Sequence, residues 1–208
     1  MQRIEIAPTK SNLRKVRSDL EFAYEGFDLL NQKREILVLE IVKTIKSIRE
    51  TENGLKIKID ELYMTYKTAA CDSGSEILAI KALSEKINYK IEKMNSRLMG
   101  IAIPSYIIEQ DSLIPNSSMS GTGASYDMIK VKSLPVLQLI LNYASLSKKV
   151  YLLSAELKKV QRKVNALEKI FIPSYEDTKK YITDRLEEIE REEIFIKKLI
   201  GRRRGLVL

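Results

Sequence analysis

Residues 139–173 read LILNYASLSKKVYLLSAELKKVQRKVNALEKIFIP. Within them Leu139, Tyr143, Leu146, Val150, Leu153, Leu157, Val160, Val164, Leu167 and Phe171 recur at alternating steps of four and three without a break. A helix that merely lines a core carries a wider apolar stripe, so an alternation held this long predicts a coiled-coil seam. The stretch ends on a conflict. Asn165 is a poor helix former, and a Pro inside a helix removes a hydrogen bond at a cost of about 3 kcal/mol. Beyond Pro173 the series resumes out of phase with Thr178, Ile182, Leu186, Ile189, Ile196 and Ile200. Pro135, a favoured first-turn residue, marks the expected start of this helix.

The first third carries a matching seam: Leu13, Val16, Leu20, Ala23, Phe27, Leu30, Arg34, Leu37, Ile41, Ile45, Ile48, Glu52, Leu55, Ile59, Leu62, Tyr66 and Ala69. Only Arg34 and Glu52 are polar, and a polar group on a seam can fix register. The spacing predicts a helix over about 10–70, roughly 90 Å long at a rise of about 1.5 Å per residue. Pro8 and Thr9 fit its start, since Thr caps and Pro stays outside. Two long seams at opposite ends of one chain predict an antiparallel hairpin with residue 10 near residue 200. In that register the two consecutive four-residue steps Leu37–Ile41–Ile45, a stutter that locally unwinds a supercoil, face the Pro173 slip. Gly26, costing about 1 kcal/mol inside a helix, suggests close approach of another backbone.

The segment between the seams differs. EILAIKALSEKINYKIEKMNSRL (76–98) reads as a shorter amphipathic helix. MGIAIPSYII and YDMIKV are β-rich and flank EQDSLIPNSSMSGTGAS, which suggests a hairpin with a long loop. The expected fold is therefore all-α dominated. Residues 1–70 and 135–208 form a long antiparallel two-helix coiled-coil hairpin, the latter ending in a basic tail. Residues 71–134 form a short helical and candidate β-hairpin insert.

Composition narrows the function. Of 208 residues 31% are charged, with 8 Gly and 5 Pro, the profile of long helices rather than turn-rich sheets. Absence of Trp and only four Phe argue against a large compact core. Absence of His removes the commonest general base, His metal sites and the Ser-His and Cys-His nucleophile systems. Cys71 is the lone Cys, which precludes an intrachain disulfide and suits a reducing compartment. No stretch approaches the roughly 20 apolar residues of a membrane span, and the N-terminus lacks a signal core. These features predict a soluble intracellular protein with no cofactor and no metal.

The candidate motifs reduce to surfaces. GTG at 121–123 lacks the Gly-Lys-Ser/Thr of a phosphate loop. The run RLEEIEREEIFIKKL places Glu188 and Glu192, and Glu193 and Lys197, at i,i+4, an exposed charged face rather than a catalytic pair. Net charge is +8, with basic residues crowding both ends. In the expected register Arg14, Lys15 and Arg17 join Lys197, Lys198, Arg202, Arg203 and Arg204 at one basic tip suited to an acidic partner. Leu20, Phe27, Leu30, Ile41, Val160, Val164, Leu167 and Phe171 are expected on the seam. Asn165, Ala166, Ile170, Ile172 and Pro173 are expected off it, facing a further partner. A structural scaffold is the alternative from another class. Nucleic-acid binding lacks the interleaved aromatic and basic residues it would need at the tip.

Three segments resemble the D subunits of the rotary A/V-type ATPases, and together they cover most of the chain. APTKSNLRKVRSDLEFAYEGFDLLNQKREIL is similar to that family's Pro-Thr-Lys/Arg opening and Gly-x-x-Leu-Leu-x-x-Lys-Arg run. MGIAIPSY resembles its Gly-x-x-x-Pro, and VNALEKIFIPSYEDTKKYITDRLEEIEREEIFIKKL its long C-terminal block. Phe27 stands where many members have His, Asn31 where Lys is common, and Glu35 where Asp is common. The resemblance implies a non-catalytic rotor axle on the cytoplasmic face of the membrane. Its terminal helices would enter a ring of catalytic and non-catalytic nucleotide-binding subunits. Its middle would meet the small central-stalk F subunit and the socket subunit on the membrane rotor ring.

Overall fold

The computed structural model describes the main chain of residues 4–84, 89–110 and 123–205, and the side chains of 4–83, 90–108 and 123–202. Helix α1 (Lys10–Ser73) is followed by α2 (Ser75–Ser84), strands β1 (Tyr89–Leu98) and β2 (Ile101–Gln110), and α3 (Ala124–Ala166). A π-helical turn (Leu167–Phe171) then leads directly into α4 (Ile172–Gly205). The architecture is thus long helices at both ends around a short helix and a two-stranded hairpin. The chain divides into two compact units, Met1–Ile36 with Leu157–Leu208, and Leu37–Glu156.

In the first unit Thr9 caps α1: its Oγ1 accepts the Asn12 N–H at 3.2 Å, and its carbonyl accepts the Leu13 N–H at 2.9 Å. α1 buries Val16, Leu20 and Ala23. Opposite lie Val160, Val164, Ile172, Thr178 and Ile182. Leu20, Ala23 and Ile172 form one cluster, with Phe27, Leu167 and Tyr175 packed on it. Tyr24 donates to Glu176 at 2.6 Å, and Lys10 meets Glu190 at 2.8 Å, so the helices run antiparallel. Residue 10 therefore faces about residue 190, ten short of the expected 200. The main-chain N–H of Ile4 donates to Thr178 Oγ1 at 3.1 Å, laying the N-terminal segment along α4. Gly26 has nothing within 4 Å of where a Cβ would stand, so the expected close backbone approach is not there.

The C-terminal seam changes phase at the π turn. Pro173 has no N–H for the Lys169 carbonyl, and in an α-helix its ring would collide with that carbonyl. The wider turn relieves this: the Ile172 N–H reaches back five residues to Leu167 O, and Ile172 itself is helical at φ −57, ψ −52. The helix thus continues through Pro173. One residue is added to the turn, so the seam steps five from Leu167 to Ile172. Ile172, expected off the seam, is 9% exposed, whereas Phe171, expected on it, is 48% exposed.

In the second unit α1 buries Leu37, Thr44 and Ala69. The expected Leu37–Ile41–Ile45 stutter is absent. Thr44 is 2% exposed and Ile45 36%, so the seam runs Leu37, Ile41, Thr44, Ile48 in ordinary steps. Thr44 Oγ1 donates to the Glu40 carbonyl at 2.7 Å, which removes the penalty of burying a hydroxyl. Thr51 and Thr65 bond the carbonyls four residues back in the same way. Nor does this stretch face Pro173. Glu40 takes Lys149, whereas Ile172, next to Pro173, packs on Leu20 and Ala23 in the other unit.

α3 begins at Ala124, eleven residues before Pro135, which lies inside it. Tyr126 explains the early start: it packs with Ala69 and Leu78 in a cluster joined by Ala70 and Ile129. Ser125 Oγ also donates to Asp72, and Lys132 to Thr65 Oγ1 at 2.8 Å. YDMIKV is therefore helical. α2 stops at Ser84, and the later part of the expected helix over 76–98 is strand. Residues 111–122 of the expected loop lie outside the described residues.

β1 and β2 pair antiparallel with Leu98 opposite Ile101, closing a two-residue turn at Met99 (φ 51) and Gly100 (φ 83). Both turn residues are left-handed, the geometry that matches strand twist in a tight hairpin. Pro104 does not break β2, because a two-stranded sheet leaves each strand an edge where a missing N–H costs nothing.

Candidate partner surfaces

Among the described residues no three His, Cys, Asp or Glu side chains gather to hold a metal ion. Cys71 is exposed near the end of α1. Gly123 forms only a turn, its carbonyl accepting the Tyr126 N–H at 3.0 Å; the other two residues of GTG lie outside the description. A groove lined by Ile57, Asp60, Glu61, Met64, Met128 and Lys132 lies open along the second unit.

The end of α4 is the largest candidate surface. Lys10, the first residue of α1, reaches Glu190, while α4 continues to Gly205. Fifteen further residues are thus left unpaired by α1. Every side chain described from Glu187 to Arg202 is exposed, including Ile194, Phe195, Ile196, Leu199 and Ile200. Ile189 lies at the level where α1 begins, and Ile196 and Ile200 continue the seam pattern beyond it. Lys197 is 3.6 Å from Glu193. Lys198 and Arg202 are exposed, and the side chains of Arg203 and Arg204 lie outside the description.

Arg14, Lys15 and Arg17 are exposed too, but they do not share this tip. They lie four to seven residues into α1 from Lys10, on the side away from the overhang. Lys197 lies seven residues beyond Glu190. At about 1.5 Å per residue the groups are separated by roughly 16 Å or more. An acidic band containing Glu187, Glu188 and Glu190 lies between. Its charges are engaged: Arg185 bonds Glu188, Arg191 bonds Glu187, and Lys10 holds the Glu190 carboxyl below its ordinary range. Stagger of the two helices, invisible in either seam alone, divides the expected basic tip.

A second surface surrounds the π turn. Asn165 is exposed and its Oδ1 accepts from Gln161 Nε2 at 2.9 Å. Ala166 and Pro173 are half-buried, Ile170 is exposed, and Phe171 joins it where Ile172 was expected. Leu30 and Ile41 are half-buried on α1. Two further features escape the sequence reading. Glu40 and Lys149 form a half-buried ion pair that holds the Glu40 carboxyl below its ordinary range, chiefly through the hydrogen bond from Lys149. β1 falls inside the expected helix over 76–98; its apolar residues Tyr89, Ile91, Met94 and Leu98 hold no strand alternation beyond Glu92.

Residues 12–202 match the family model for the D subunit of ATP synthase. The chain belongs to that family. The V-type ATP synthase D subunit of Thermotoga neapolitana is 34% identical over 193 residues, 92% of this chain and 95% of that one. The A-type ATP synthase D subunit of Pyrococcus horikoshii is 32% identical over 197 residues, covering 92% and 91%. The A-type ATP synthase D subunit of Desulfurococcus sp. is 30% identical over 211 residues, covering 97% and 98%. D subunits of both A- and V-type complexes are thus similar along nearly the whole length. Among the described residues no helix is long and apolar enough to cross a membrane.

Proposed function

We propose that this chain is the central-stalk rotor axle of an A/V-type proton- or sodium-translocating ATPase or ATP synthase. It couples ATP hydrolysis or synthesis in a ring of catalytic and non-catalytic nucleotide-binding subunits to rotation of a membrane ring. It has no catalytic role of its own and sits peripherally at the cytoplasmic face. Its middle meets the small central-stalk F subunit and the socket subunit. The observation that carries this reading is the bare end of α4, projecting past the start of its antiparallel partner. An axle needs an end shaped to enter a bearing without locking there. The overhang offers exposed Ile194, Phe195 and Leu199 with Lys197, Lys198 and Arg202, and the sequence continues with Arg203 and Arg204. Arg14, Lys15 and Arg17 form a separate basic band along the same shaft.

The test is to replace Lys198, Arg202, Arg203 and Arg204 with Gln and titrate the chain against the nucleotide-binding head at several salt concentrations. Affinity is expected to fall by about 10-fold at low salt, with a shallower salt dependence. Unchanged affinity and unchanged salt dependence would overturn the contact. Nucleotide-driven rotation of a bead fixed to the hairpin checks the axle role itself.

A further inference from the structure

The two strands of the hairpin manage their free edges differently. In an antiparallel pair, alternate residues direct their main-chain groups across the ladder or outward. Pro104, opposite Asn95, has no N–H, so this pair belongs to the outward set. Tyr106, opposite Lys93, has the same parity, and its N–H leaves the sheet to reach Ser145 Oγ on α3 at 3.2 Å. β2 therefore has a blunted edge: one position lacks a donor and the next is bound to a helix. By the same parity Ile91, Lys93, Asn95 and Arg97 direct their main-chain groups outward from β1. No described residue takes those four N–H groups. Side chains from Lys93 to Arg97 are all exposed, and so are Ile91 and Met94.

The charges select among occupants. Glu92 is bonded to Lys90 at 2.9 Å, while Lys93 and Arg97 lie four apart on one face with no ion pair among the described residues. A second copy of this chain would bring the same positive strand to the edge, which opposes self-pairing. We infer that β1 is a strand-acceptor edge, completed by an extended segment of another subunit of the complex that carries two acidic side chains four positions apart. The main chain supplies four donors and their matching carbonyls, and the acidic pair fixes register against Lys93 and Arg97. This rests on the chain working as a subunit of the rotary complex.

The experiment compares amide hydrogen exchange in the free chain and in the purified complex, quenched and read residue by residue. Exchange at Ile91, Lys93, Asn95 and Arg97 is expected to slow by about 100-fold or more on assembly. The intervening Glu92, Met94, Ser96 and Leu98, already bonded to β2, change little. A chain with Lys93→Glu and Arg97→Glu should lose the slowing at these four positions and keep the β1–β2 ladder. Unchanged exchange at all four in an assembled complex overturns the strand-acceptor edge and leaves the proposed function standing. Failure to assemble with the other subunits overturns both. Slowing that appears in the free chain and grows with its concentration identifies self-pairing and overturns the acidic partner.

Discussion

The apolar series slips at two places, and the structure answers the two slips by opposite means. Between Leu167 and Pro173 the backbone changes: a π turn admits one extra residue, so Ile172 enters the seam and Phe171 leaves it. Between Ile41 and Ile48 the backbone stays regular and the chemistry changes: Thr44 takes the buried position and Ile45 is released. A missing N–H at Pro173 cannot be answered by a side chain, because the fault is in the main chain. A buried hydroxyl at Thr44 can be answered locally, because the Glu40 carbonyl lies one turn back. Main-chain defects thus move the register, whereas side-chain defects are absorbed within it.

The largest test of this contrast is at the π turn. Ile172→Ala is expected to cost about 2–4 kcal/mol in urea unfolding, the range for a buried Ile that leaves a cavity. Phe171→Ala, removing a larger but half-exposed ring, is expected to cost less than about 1 kcal/mol. The order reverses if the helix runs through this segment as an unbroken α-helix, since Phe171 would then face α1. Replacing Pro173 with Ala and deleting Lys169 removes both the cause of the turn and its extra residue. That variant should keep Ile172 protected from amide exchange.

A second test exchanges the pair at the regular site. Thr44→Ile with Ile45→Thr follows what apolarity alone would choose. It is expected to destabilise by about 1–3 kcal/mol in thermal unfolding, through overpacking of a position sized for Thr. Thr44→Val keeps the shape and should cost about 1 kcal/mol or less, because the lost bond ran to the helix's own backbone. A swap that proves neutral would mean that position 44 has room for Ile and that its buried site is not sized for Thr.

The same contrast shows how far the sequence could be read. The long helices and the buried Val160 and Val164 follow from periodicity, because each face repeats many times and single errors average out, while Thr9 caps α1 through a purely local bond three residues away. What failed were quantities carried by few residues. The stagger of the helices depends on contacts such as Lys10 with Glu190, and neither seam encodes where it meets the other. The helical start at Ala124 depends on Tyr126 finding Ala69 and Leu78, a long-range contact that outweighs the local preference of Pro135 for a first turn. By sequence one strand of the hairpin, MGIAIPSYII, is found but is given YDMIKV as partner, because residues 89–98 continue a helical pattern from 76 and their pairing with β2 is not a property of either segment alone. Of the candidate surface, the overhang is present as residues but not as a place, since its basic partners on α1 lie well away from it.

The smallest test concerns pH, and compares one ion pair in each unit. Glu40 and Lys149 are each about a quarter exposed, and the Lys149 hydrogen bond lowers the Glu40 pKa from its ordinary 4.5. A carboxylate lowered in the folded state stabilises the fold above its unfolded value and loses that contribution as pH falls through the folded value. Urea midpoints of the parent chain should therefore fall more steeply below about pH 4.5 than those of Glu40→Gln. At neutral pH the gap should be about 1 kcal/mol or less, since the pair keeps some contact with water. Lys149→Met should flatten the acid limb as Glu40→Gln does, because either change removes the attraction that lowers the carboxyl. Glu190 is lowered in the same direction by Lys10, but that pair is 80% and 56% exposed. Glu190→Gln should accordingly shift the acid limb less, and 1 M salt should erase that shift before it erases the one at Glu40. Equal salt sensitivity at the two sites would mean that Glu40 is as well solvated as Glu190, and that the half-buried pair contributes no more to holding α1 against α3 than a surface contact.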